Sequence, residues 1–223
     1  MNLFQRVSIR RTTATILLVG LMGMDPASRR SVSFDFESDR PDQIARGFTS
    51  EVGRWEVVRD RANQVFAQHA ENRISVLNVT LLSQSSYKNV EVSVRIKAVA
   101  GENEQGGGLI WRAKDKDNYY AARYNPYRSR IRPREPNVCL YRVEAGKLTQ
   151  LDRANVAGDT DWHTLRITME GTEIVGYLDG RKLLEADDST FVDVGKVGLW
   201  SRSDAQSYFD DLKVSTFSSK DPE

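Results

Sequence analysis

Short alternating runs, separated by clusters of turn residues, recur along this chain from Ser31 onward and exclude most folds at once. Asn89 to Val99 shows the pattern most cleanly. Val90, Val92, Val94 and Ile96 fall on one side, and Glu91, Ser93, Arg95 and Lys97 on the other. Successive strand side chains point to opposite faces, so this is a strand of an antiparallel sheet with one wet face. Ser31 to Glu37 repeats the pattern with Val32, Phe34 and Phe36. Gly106 to Tyr124 reads as a hairpin turning at Asp115 to Asn118. In it, Leu109, Trp111 and Ala113 share one face, and Ile110 and Arg112 the other. Further hairpins pair Trp55–Val58 with Gln64–Gln68, and Val138–Glu144 with Lys147–Arg153. Another pairs Glu173–Leu178 with Arg181–Glu185 around Asp179-Gly180, a strong two-residue turn signal. Ile74–Leu82, Asp161–Glu170, Gly195–Ser201 and Ser207–Ser215 complete the set, while Ser38–Ser50 reads as a long loop. About a dozen strands with no long helical period predict an all-β antiparallel sandwich. No internal repeat supports a propeller or solenoid.

The chain has 223 residues, and its net charge of +1 gives no field to recruit nucleic acid or an acidic membrane. Its single cysteine, Cys139, leaves the fold without an internal disulfide. Arg6, Arg10 and Arg11 precede an apolar run from Ala14 to Met24. That is the pattern of a signal peptide, and the run is shorter than the ~20 residues of a membrane span. The expected layout is therefore a signal peptide or anchor with linker over 1–30, a domain over 31–217 and a tail over 218–223. The protein is expected to be exported to the periplasm or beyond. Membrane contact is expected only where the N-terminal segment stays uncleaved.

Three segments together carry a family resemblance. Asp161-Trp162-His163 precedes an alternating strand, and Tyr177-Leu178-Asp179-Gly180 follows it. The central GGGLIWRAKDKDNYYAARY and the closing YFDDLKV fit the same picture. The sequence from about Val32 to Phe217 resembles the concanavalin A-like lectin/glucanase superfamily, including laminin G-type modules. Within it, the chain is similar to exported bacterial 3-keto-disaccharide hydrolases. That resemblance implies a jelly-roll sandwich and a sugar ligand. The enzyme family's usual opening, a glycine-rich phrase before a tryptophan, has no counterpart between Asp35 and Trp55.

Two groups of residues are candidates for binding. Trp111, Tyr119, Tyr120, Tyr124 and Tyr127 load the central hairpin and its exit. Aromatic rings stack on sugars, but strand aromatics also serve cross-strand packing. Trp111 is assigned to the core. Tyr120, in phase with Ala122 and Tyr124, is expected on an outer surface. Arg123, Arg128, Arg130, Arg132, Arg134 and Arg142 then stand against a single acid, Glu135. Arginine forks suit carboxylates, sulfates and phosphates, so an acidic polysaccharide is a fitting partner. A solvated loop with paired arginines is the plainer alternative. The expected sugar contacts are Arg112, Tyr120, Arg123, Tyr124, Tyr127 and Arg128.

Carboxylates near the two ends, Asp35, Glu37 and Asp210, are the candidate ligands of a structural calcium, which the resemblance implies for end strands lying side by side. Calcium takes hard oxygen ligands. The alternative for Asp210 is hydrogen bonding near the N-terminal strand. The paired-carboxylate strand of a retaining glucanase is absent, and only His69 and His163 are available for histidine chemistry. The leading expectation is a non-catalytic glycan-binding module. The rivals are a sugar-acting hydrolase of the 3-keto-disaccharide kind and a structural module that binds protein.

Overall fold

The computed structural model describes residues 31–126 and 135–216, and among them are fifteen strands and no helix. In chain order the first eight are β1 (Ser31–Phe34), β2 (Phe48–Val52), β3 (Trp55–Asp60), β4 (Asn63–Gln68), β5 (Leu77–Leu82), β6 (Val90–Ala100), β7 (Gly107–Asp115) and β8 (Asn118–Asn125). Then come β9 (Asn137–Glu144), β10 (Lys147–Asn155), β11 (His163–Glu170), β12 (Glu173–Leu178), β13 (Arg181–Asp187), β14 (Lys196–Arg202) and β15 (Gln206–Thr216).

They form two antiparallel sheets. The first runs β13-β12-β11-β6-β15-β4-β3, with β1 added beside β15. The second runs β10-β9-β8-β7-β14-β5-β2. The all-β sandwich expected from the alternation is the architecture found. Val90, Val92, Val94 and Ile96 of β6 are fully buried, and the residues between them are half-buried. They meet Leu109, Trp111, Tyr120, Ala122 and Tyr124 of the second sheet in the main core. An aromatic knot closes one end of that core. Phe48 and Phe66 rings lie 5.1 Å apart, and Trp55 lies 5.5 Å from Phe66 and 5.6 Å from Phe209.

The outer face of the second sheet is buried as well. Val79, Leu81, Ile110, Ala113, Tyr119, Ala121, Val143 and Trp200 form a second apolar cluster there. Membership of Ala113 in it corrects the expected face. Arg112 has φ +48°, and the pairing of β7 with β8 shifts register between Trp111 and Asp115. One inserted residue reverses the phase of a strand, so Ala113 sides with Ile110 and not with Trp111.

Two smaller differences come from polar or strained backbone. β2 begins within the stretch read as a loop, runs two residues past its end and pairs only with β5, at the sheet edge. Its Thr49, Ser50 and Glu51 are exposed, so no apolar alternation announces it. β1 stops at Phe34 because Phe36 sits at φ +59°, yet the Phe36 ring still enters the core.

Candidate functional site

The central strand β8 decides where a site can lie. Tyr120 and Tyr124 face the opposite sheet and are fully buried, which corrects their expected place on an outer surface. Tyr120 stacks on Trp111 at 5.9 Å and donates its hydroxyl to the Asp188 carboxylate at 2.7 Å. Burial pushes its pKa up to about 12, so the hydroxyl stays a donor. Tyr124 packs 4.6 Å from the His163 ring and donates to the Asp159 carbonyl at 3.0 Å. The alternate residues, Tyr119, Ala121 and Arg123, face away from the sandwich core. The tyrosine on the outer face is therefore Tyr119, which is itself buried there.

Arg112 is also interior rather than a surface arginine. Its guanidinium donates to the carbonyls of Lys88 at 2.8 Å, Phe191 at 2.9 Å and Gly171 at 2.7 Å. These carbonyls come from three connecting segments at one end of the sandwich, so Arg112 ties loops together where β7 bulges. Gly195 makes room for it, because a Cβ there would stand 2.3 Å from the Arg112 carbonyl carbon.

Arg123 is different. It lines a cavity of about 240 Å³ on the outer face of the second sheet, with Asn125, Asn137, Tyr141, Gln150, Arg153, Arg202 and Cys139. One Arg123 nitrogen, Nη2, donates to Glu104 at 2.7 Å in a pair that is almost wholly buried. Arg202 reaches the other Glu104 oxygen at 3.6 Å. Burial opposes the charge on Arg123, and Glu104 more than offsets it. The Nε of Arg123 is buried with no hydrogen-bond partner among the described residues. Such an orphan donor is costly unless something accepts from it. Three guanidinium groups thus border the cavity, and among the described residues no carboxylate is on its wall. Burial raises the pKa of Cys139, and it raises that of Tyr141 to about 12, so both remain protonated near neutrality.

Of the expected contacts among the described residues, only Arg123 is placed at this cavity. Tyr127 and Arg128, with the arginines up to Arg134, lie outside the described residues. Arg153, Arg202, Tyr141 and Gln150 were not singled out from the sequence. They come from three strands, β9, β10 and β14, and only the register of pairing brings them beside Arg123.

The three end carboxylates do not converge. Asp35 accepts from the Glu37 backbone, Glu37 accepts from the Gln64 backbone, and Asp210 accepts from Asn63 at 2.9 Å. Burial raises the pKa of Asp210. Among the described residues no group of three acidic, histidine or cysteine ligands is gathered. Asp35, Glu37 and Asp210 therefore do not fit a calcium site, although β1 and β15 do lie side by side as expected. Asp210 makes hydrogen bonds, as the alternative had it, but to Asn63 and the Asp211 backbone.

Residues 50–215 match the model of a family described as the 3-keto-alpha-glucoside-1,2-lyase-like domain. No curated protein matches the chain. Among solved structures, the carbohydrate binding module CBM66 from Bacillus subtilis is similar at TM-score 0.62 and 23% identity, over 75% of this chain and 94% of that one. A glycoside hydrolase family 16 endo-glucanase from Bacteroides ovatus gives TM-score 0.59 at 14% identity, over 82% and 99%. A protein of unknown function with galectin-like fold from Bacillus subtilis gives 0.57 at 12%, over 77% and 90%. These likenesses show the sandwich fold.

Proposed function

Because the chain belongs to the 3-keto-alpha-glucoside-1,2-lyase-like domain family, we propose that it is an exported carbohydrate-binding module whose ligand sits against Arg123. The observation that carries this reading is the buried Nε of Arg123, without a partner among the described residues, beside a cavity bordered by Arg153 and Arg202. Sugar hydroxyls and carboxylates supply the acceptors that such donors lack. At about 240 Å³ the cavity is smaller than the ~300–1,000 Å³ of drug-sized sites, so it suits one sugar residue or a chain end. Its excess of guanidinium favours an acidic glycan. Tyr127 and Arg128 follow β8 directly in sequence and are proposed to add contacts. Export is supported by the basic start and apolar run of the N-terminal 30 residues. The solved carbohydrate binding module of the same fold supports a binding role.

The family model favours a second reading, in which the domain cleaves a 3-keto sugar. Proton abstraction beside a ketone needs a base that is unprotonated at neutral pH. The titratable neutral groups on the cavity wall, Cys139 and Tyr141, have pKa values raised by burial. Binding without chemistry is therefore the stronger reading.

The test is calorimetric titration of the full chain with neutral and uronic-acid oligosaccharides, with the same mixtures assayed for cleavage. Uronic oligosaccharides are expected to bind intact. Arg153→Ala, at an exposed position of the cavity wall, should weaken them about tenfold, the worth of one charge-assisted hydrogen bond. Released product would establish the enzyme, and unchanged binding in Arg153→Ala would move the site elsewhere.

A further inference from the structure

A second cavity lies across the molecule, on the outer face of the first sheet. It measures about 580 Å³, inside the range of ligand sites. One wall is the turn between β3 and β4, Asp60 to Asn63, where Arg61 takes φ +62°. The other is Asp161 and Trp162, just before β11, with Lys97 between them on β6.

Trp162 stands apart among the four tryptophans. Trp55, Trp111 and Trp200 are buried, with at most 4% exposure, whereas Trp162 is half-exposed. Cations support its ring, with the Arg95 guanidinium carbon 4.9 Å and the Lys97 ammonium 5.9 Å from the ring centroid. Such cations hold an indole in place without covering it with apolar neighbours. Around the ring the polar groups alternate in kind. Lys97 donates to Asp60 at 3.1 Å. Asn63 gives its amide to Asp210 at 2.9 Å, and its carbonyl oxygen has no partner among the described residues. The Asp161 carboxylate is exposed and likewise without a partner among them. Asp60 and Asp161 balance Arg61 and Lys97.

We propose that this cavity is a second carbohydrate site, which takes a neutral sugar ring. A sugar hydroxyl is both donor and acceptor, so it is matched by carboxylate, amide and ammonium groups placed side by side. The apolar face of the ring lies on Trp162. The balanced charge distinguishes this site from the arginine cavity, which favours an anion. With ligand chemistries that differ and sites on opposite sheets, the domain holds two glycans at once. The inference rests on the reading of the domain as a carbohydrate binder, but not on the arginine cavity.

The experiment titrates the full chain with cellopentaose, laminaripentaose and maltopentaose by calorimetry, following tryptophan fluorescence and its protection from acrylamide. At least one of these sugars should bind and shield a tryptophan, which among the four is the accessible Trp162. Trp162→Ala should abolish the heat. Asp161→Ala, at an exposed position, should weaken binding about tenfold. Arg153→Ala should leave it unchanged. Binding unaffected by Asp161→Ala overturns the site whatever becomes of the tryptophan variant. If neutral sugars are silent while uronic oligosaccharides bind in an Arg153-dependent way, this inference fails and the proposed function stands. Silence toward both classes defeats both.

Discussion

His163 holds a carboxylate on each ring nitrogen, with Asp179 2.7 Å from Nδ1 and Asp159 2.8 Å from Nε2. Only the imidazolium donates from both nitrogens, so this pairing favours the charged ring. Burial works against that charge, but the two aspartates outweigh it and raise the pKa above 6.5. A pKa raised on folding means stabilisation that is complete below the unfolded value and lost as pH climbs through the folded one. The hydrogen bond to His163 lowers the pKa of Asp159 below 3.8, so its contribution is lost at the acid end instead. Melting curves of the wild type and His163→Gln should therefore differ most at mildly acid pH and converge as pH rises. A gap constant across the range would mean a neutral ring. Tyr124, packed against this histidine, gives a second test. Tyr124→Ala removes a fully buried ring and should cost roughly 3–5 kcal/mol in chemical denaturation. The sequence placed Tyr124 outside because its phase has no contrast. Tyr119, Tyr120, Ala121 and Ala122 alternate nothing, and both of their faces are buried. In β6, where valine alternates with charge, the same reasoning found the right face.

At the scale of elements, turn chemistry was the most legible signal. Ala145-Gly146 and Asp179-Gly180 sit at φ +50°/+73° and +50°/+79°, the geometry of tight hairpins that those residues announce. The bulge at Arg112 had no such announcement, since a bulky arginine at positive φ is held there by its three carbonyl partners rather than by its own preference. The candidate site was legible only in part for a related reason. Arg123 stood out within an arginine-rich stretch, but Arg153 and Arg202 reach it through the pairing of β8 with β9, β9 with β10, and β7 with β14. Long-range register is not written in local alternation. The glycines at the start of β7 are a strong constraint on the pairing of β7 with β8. A Cβ on Gly108 would lie 1.8 Å from the Ala122 carbonyl oxygen of the neighbouring strand. Gly108→Ala should cost roughly 3 kcal/mol or more, because backbone and not a flexible side chain would have to move. At Gly180 a Cβ meets nothing within 4 Å and only its φ of +79° resists. Gly180→Ala should thus cost about 1 kcal/mol. Equal losses in urea denaturation would refute the difference.

Taken as a whole molecule, the sandwich relies on its core and on sheet pairing. Its one cysteine is buried and free, and the end carboxylates expected to hold calcium bond to protein groups instead. Chelation with EDTA should leave the melting temperature unchanged within error, and a fall on chelation would reveal a cation bound elsewhere. The ends of the domain meet where β1 lies antiparallel to β15, with Ser31 opposite Ser215 and Phe34 opposite Leu212. The chain thus enters β1 and leaves β15 at the same end of the pair. A force drawing those two ends apart would load the Ser31–Ser215 pair first, then Val32–Val214, and so on in turn. The joint opens like a zip and not like a shear clamp, so a module pulled between its own ends would shed β1 at modest tension while the second sheet stays whole.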